Sequence, residues 1–248
     1  SYFGGVIGFM AGTATISPNS MLANHGAVSG AGVCGGVIGS MSPTSAITFD
    51  NTASASAVGV INTAPVTVSG NTAGGLFGNL ASVNVIVANY TSPSTATVTG
   101  SGNTIGGILG QLTAGIIGSP GGVISNTAAV TGGSSSSDIG GVVGLLSGGT
   151  LGASGGEISN TAAVTGGTNV GGIAGNMTGG VLGASGGTVS NAGAVTGAGN
   201  NTGGVVGELN GATASFALNS TLGNSGKISG ISNVGGIFGE MRTTTSAT

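Results

Sequence analysis

Charge is what this sequence has least of. Of its 248 residues, two are Lys or Arg and five are Asp or Glu, 3% in all, against about 25% in an average soluble chain. Such a chain must cover itself with Ser, Thr, Asn and Gly, or with other chains. A net charge of −3 excludes the polybasic surface that nucleic-acid binding requires. A single Cys excludes an internal disulfide framework and leaves the compartment open. No run of about 18 apolar residues escapes Gly or polar interruption, so no membrane span is expected. No signal peptide opens the sequence at Ser1, so a secreted protein would be seen here in its mature form.

What is abundant is Gly, 57 residues, alongside 39% hydrophobic residues. Gly/Ser-rich sequence usually stays disordered because it cannot bury enough apolar area. Here the apolar residues recur in register, and repeats decide the fold. The pattern Gly-Gly-Φ-x-Gly starts at Gly4, Gly35, Gly74, Gly106, Gly140, Gly171, Gly203 and Gly235, at intervals of 31 to 39 residues. Two residues beyond each copy stands Met10, Met41, Leu80, Leu112, Leu146, Met177, Leu209 or Met241. Between the copies, Asn recurs at Asn24, Asn62, Asn89, Asn126, Asn160, Asn191 and Asn224, each with an aliphatic residue two positions earlier. Four positions later most copies carry Val or Ile: Val28, Val66, Val130, Val164, Val195 and Ile228. Spacing by two is strand periodicity, so the aliphatic residue, the Asn and the Val share one face.

Gly and β-branched residues dominate every window, which argues against helices. The spacing predicts an all-β chain: one β-solenoid domain over 1–248, about seven coils of roughly 32 residues, with an insertion around 40–60. Each coil is expected to hold three short strands, and seven coils stacked at about 4.8 Å span on the order of 35 Å. Gly is expected at the corners to supply positive φ. Aliphatic ladders and an internal Asn ladder, hydrogen-bonded from coil to coil, are expected inside.

The segment "GGVVGLLSGGTLGASGGEISNTAAVTGGTNVGGIAG" resembles the GLUG repeat of bacterial surface proteins, in which a Gly-Gly-Leu-Val-Gly strand precedes Gly-x-Ile-x-Asn and Val-x-Gly segments. The likeness covers nearly the whole chain and is best from Gly106 to Gly239. Residues 40–60 depart from it, and extra Gly/Ser residues precede the Ile-Ser-Asn segment. The resemblance implies a secreted or cell-surface β-solenoid, often part of a large adhesin, and it implies no reaction.

Few residues invite chemistry, and no enzyme is expected. His25 should point outward beside the Asn row, and Cys34 should be a buried, inert thiol. Asp138 stands where other coils carry Asn169, Asn201 and Asn233, which suits a turn. Glu208 and Glu240 follow equivalent motifs and should stack about 4.8 Å apart, a tolerated surface pair. Their repulsion is relieved if one is protonated or if a cation such as Arg242 or Ca²⁺ lies between them. A polysaccharide-cleaving solenoid needs clustered acids in a groove, but Asp50, Glu157 and Lys227 fall on different repeat positions. No catalytic, cofactor or metal site is assigned.

Strand alternation would point the fourth motif residue outward: Ile7, Ile38, Phe77, Leu109, Val143, Ala174, Val206 and Phe238. That would make an apolar stripe for self-association. The competing reading has the fifth-position Gly kink the strand and turn both apolar residues inward. The sequences "GGVIGFM" and "GGIFGEM" at the two ends are repeat-equivalent, so a head-to-tail contact could continue the stack as a filament. Three functions follow from the sequence: an extracellular structural subunit that assembles with itself, a surface adhesin stalk or glycan-binding wall, and an ice-binding protein. The last rests on outward Thr127-x-Ala129-x-Thr131 and Thr161-x-Ala163-x-Thr165, interrupted in other coils by His25, Pro65, Tyr90 and Lys227. Sequons at Asn89, Asn176, Asn200 and Asn219 offer sites for glycans.

Overall fold

The computed structural model describes residues 1–16, 20–49, 60–81, 83–85, 89–92, 96–183, 185–211 and 213–242, with backbone alone at 48–49, 83–85 and 89–92. Among these residues there are short strands, turns and bends and no helix, so none that could cross a membrane. The chain is a β-solenoid. One regular coil runs Asp138–Gly140, Val143–Leu146, Thr150–Leu151, Glu157–Asn160 and Val164–Gly166. Five strands make a coil, not the expected three, because Gly-rich bends cut each wall into pieces of two to four residues.

Each strand pairs in parallel with its equivalent one coil away. Ile139 pairs with Val170, Val143 with Ala174, Leu151 with Leu182, Ile158 with Val189 and Val164 with Val195. The five strand positions build five sheets, numbered I to V in chain order. Sheets I and II have eight strands, sheets IV and V seven, and sheet III five. Thr13–Ile16 and Ala46–Phe49 pair separately. The described residues thus make seven coils and the first two strands of an eighth. The extra residues around 40–60 fall between Ile38–Met41 in sheet II and Val60–Asn62 in sheet IV, both of which keep their register. Residues 50–59, Asp50 among them, lie outside the described residues.

The interior has two compartments. Sheets II, III and IV enclose the larger, filled by rows such as Leu112, Leu146 and Met177 or Ile124, Ile158 and Val189. Sheets I and V enclose the smaller, filled by Cys34, Ala73, Ile105, Ile139 and Val170 against Val66, Val98, Val130 and Val164. A Val-Thr-Gly strand of sheet V alternates as period two requires, with Val inward and Thr outward.

The expected outward stripe does not exist. Ile38, Phe77, Leu109, Val143, Ala174 and Val206 are all fully buried in the larger core, with Ile7 and Phe238 packed against it at the ends. The third motif residue, for example Val37 or Val142, is buried too. The cause is a sharp corner. The N–H groups of Val37 and Ile38 both donate to Leu76 O, and those of Val142 and Val143 both to Ile173 O. Two successive N–H groups pointing at the same coil break the alternation, so both side chains turn inward.

The motif glycines serve close approach rather than positive φ. A Cβ on Gly141 would lie 2.1 Å from Gly172 O and 2.6 Å from Asn160 Cγ. Positive φ occurs elsewhere, at Gly149, Gly152 and Gly155 and their equivalents between sheets II and IV, where the chain carries its extra Gly/Ser residues.

Candidate interaction surfaces

The Asn row ends the sheet IV strands, at the junction of the two compartments. Asn126 Nδ2 donates to Asn160 Oδ1, Asn160 to Asn191, and Asn191 to Asn224, each at 2.8 Å. Asn24 donates to Asn62 in the same way, also at 2.8 Å. The second amide hydrogen goes to the carbonyl two residues on, as from Asn160 to Ala162 O, and Oδ1 accepts the N–H of that same residue. Nearly every polar valence of a buried amide is thus used inside the wall, which is the condition for burying it at little cost.

The row has one gap, and it corrects the assignment of Asn89. The backbone register sets Asn89 beside Val123 and Ser92 beside Asn126, so Ser92 holds the place expected for Asn89. The side chain of Asn89 lies outside the described residues. In the other copies Asn precedes Val or Ile by four, whereas Asn89 is followed by Pro93. From Ser92 to the sheet V residue Val98 the chain takes six steps. Asn62, below the gap, sends its amide to Gly75 O at 3.0 Å instead.

A second amide row lies on sheet I, two residues before the Gly pair. Asn233 donates to Asn201 at 2.8 Å, Asn201 to Asn169 at 2.9 Å, and Asn169 to Asp138 Oδ1 at 3.0 Å. The three Asn residues have φ of 51°, 60° and 50°, a conformation Asn tolerates better than most residues. Asp138 therefore terminates a ladder, and it does so at the start of the strand Asp138–Gly140 rather than in the expected turn. The equivalence of these four positions was visible in the sequence; their stacking was not.

This row faces the outer side of sheet II, where Asn176, Glu208 and Glu240 stand in register. Asn176 Nδ2 donates to Asp138 Oδ1 at 3.3 Å. Between the two Glu residues the cation is Arg242, 2.7 Å from Glu208 Oε1 and 3.5 Å from Glu240 Oε2. Burial raises the Asp138 carboxyl above its ordinary range, with the Asn169 and Asn176 hydrogen bonds opposing it. Burial also raises Glu208; Arg242 opposes that rise while Glu240 and Asp138 add to it. Among the described residues no three His, Cys, Asp or Glu side chains gather as a metal site.

His25 is exposed, with Nδ1 2.7 Å from Thr63 Oγ1. Cys34 is buried in the smaller core, and burial raises its thiol pKa. Of the sequons, Asn200 and Asn219 are exposed, whereas the Asn176 amide is turned into the cluster with Asp138. On sheet V the outward residues form one register: Ser29, Thr67, Thr99, Thr131, Thr165, Thr196 and Ser229. All but Ser229 are exposed. Tyr90 does not interrupt this face in the backbone register, since it pairs with Ile124.

The ends differ from the walls. Large apolar side chains are exposed at Tyr2, Val6, Phe9 and Met21 in the first coil and at Leu218, Ile231, Val234 and Met241 in the last. Between the ends only Ile116 joins them among the described residues. Tyr2 and Phe9 stack with ring centroids 4.9 Å apart. Comparison with family models, curated proteins and solved structures gives no match for this chain.

Proposed function

We propose that this chain is a non-enzymatic extracellular structural protein, a β-solenoid subunit that stacks end to end with further copies as a filament or surface appendage. The observation that carries this reading is the parallel, in-register pairing of each strand with its equivalent one coil away, a stacking mode that further copies of the same repeat can extend. Open parallel edges accept further strands, and a contact between unlike ends does not close on itself. The likeness to GLUG repeats supports a place outside the cell or on its surface. Negative-stain electron microscopy across protein concentration tests the reading. Filaments that lengthen with concentration are expected, and monodisperse monomers throughout would overturn it.

One observation favours a second reading. The exposed Ser/Thr column on sheet V offers hydroxyl and methyl groups at the strand spacing of about 4.8 Å on a face that is nearly free of charge. Such a face suits an ordered array of water, as at an ice surface. Thermal hysteresis lost on Thr131→Tyr would support it, and no hysteresis in the wild type would remove it.

A further inference from the structure

We propose that the trough beside the sheet V Ser/Thr column holds a band of ordered water, repeated coil by coil, through which this face joins an ice lattice. This deepens the ice-binding reading and rests on it, and it uses interior coils only.

The trough, about 330 Å³ in volume, crosses three successive coils along the solenoid axis. Thr67, Thr99 and Thr131 line one side in register, and Ser101 lines the other. Between them Val68, Gly100 and Gly132 are buried and present backbone to the trough. A water occupies about 30 Å³ and needs two to four polar partners, so the trough has room for roughly ten. The Thr and Ser hydroxyls supply partners from both sides. The carbonyls of Val68 and Gly100 accept the N–H groups of Ser101 and Gly133 and keep a second lone pair each. Because equivalent groups recur at about 4.8 Å, the water bound to one coil is repeated on the next.

The chemistry of this face selects water over other ligands. The sheet V strands contain no charged residue and no aromatic ring. A phosphate, carboxylate or metal ion therefore finds no counter-charge there, and a sugar ring finds no flat partner to stack on. What the face offers is hydroxyl, methyl and carbonyl groups at fixed intervals. The wall beneath is held by the buried row Val66, Val98, Val130 and Val164, so these groups keep their spacing. Beyond the Thr column the ladder continues through Ala163 and Ala194, both exposed and small, and the surface stays flat. Immobilising a water costs up to about 2 kcal/mol, and a rigid periodic wall orders many waters in one lattice.

The experiment measures thermal hysteresis for the wild type, Thr131→Tyr, Ser101→Leu and Ser101→Ala, with unfolding midpoints and sedimentation on the same samples. Ser101 is exposed, so both of its variants should keep the wild-type midpoint. Ser101→Leu fills the trough, leaves the Thr column whole and should lower hysteresis about fivefold by displacing bound water. Ser101→Ala adds no bulk, removes one water partner and should lower hysteresis about twofold. Wild-type hysteresis in Ser101→Ala, with loss in Thr131→Tyr, would overturn the trough and leave the ice-binding reading standing. Hysteresis retained by Thr131→Tyr, or absent from the wild type, overturns both. Side-by-side pairing of the wild type that Ser101→Leu disperses would assign the face to a second copy and overturn the proposal as well.

Discussion

Asn160 and Asn224 occupy the same place in different coils, as do Gly141 and Gly236, yet their surroundings have little in common. Asn160 is fully buried and hydrogen-bonded to the coils on both sides. Asn224 is half-buried and accepts from Asn191, with no described coil beyond it. Gly141 is pressed between Gly172 O and Asn160, while Gly236 faces open space. Identical residues thus carry different energies because a solenoid residue is constrained chiefly by its neighbouring coils. The interior coils enforce the repeat; the last coil merely continues it.

Substitution at paired positions should expose that difference. The largest effect is expected at Asn160→Ala, which orphans an Asn126 amide hydrogen and the backbone N–H and C=O of Ala162 and takes one of two donors from Asn191 Oδ1. At about 1–3 kcal/mol per buried orphan, the loss should reach about 4 kcal/mol by urea unfolding, against about 1 kcal/mol for Asn224→Ala. Gly141→Ala comes next, at about 3 kcal/mol from overpacking against backbone that cannot yield. Gly236→Ala should lie within about 0.5 kcal/mol of wild type. Equal losses within either pair would erase the distinction between interior and end.

A smaller effect concerns pH. The folded Asp138 carboxyl titrates above its unfolded value because burial disfavours its ionised form. Its ionisation therefore costs stability at neutral pH, and the cost is relieved as pH falls through the folded pKa. Asp138→Asn keeps an acceptor for Asn169 and Asn176 and extends the amide row by one true rung. Its unfolding midpoint should exceed that of wild type at pH 7, and the two should converge as the pH is lowered. The smallest effect is expected at Thr165→Ala on the outer face of sheet V, within about 0.5 kcal/mol.

The rows were legible in the sequence wherever two anchors recurred at fixed distance. Asn with Val or Ile four residues on located Asn24, Asn62, Asn126, Asn160, Asn191 and Asn224 correctly. Asn89 lacked the second anchor, and a longer path from sheet IV to sheet V puts Ser92 in the row. For Ile38, Phe77 and Val143 the sequence left two readings open, outward by alternation or inward by a kink, and the inward one holds. Alternation assumes a continuous strand, and the corner at the second Gly makes two successive N–H groups point the same way. Strands as short as Thr150–Leu151 hold too few residues for any period to register, so five strands read as three. The joint function of Asp138 and Asn169 was concealed because positive φ and stacking both favour Asn, and one sufficed to account for it.

The two amide rows also run in opposite senses. Along sheet IV each donor points toward the last coil, from Asn24 to Asn62 and from Asn126 through to Asn224. Along sheet I each points toward the first, from Asn233 down to Asp138. Head-to-tail amide dipoles add along a row much as peptide dipoles add along a helix, so each unbroken row alone would charge its own two ends oppositely. Set antiparallel, they offset one another, and the first-coil-facing row ends its positive pole on the Asp138 carboxylate. From Asp138 onward, where both rows run side by side, the wall extends through Asn224 and Asn233 without their dipoles accumulating in one direction.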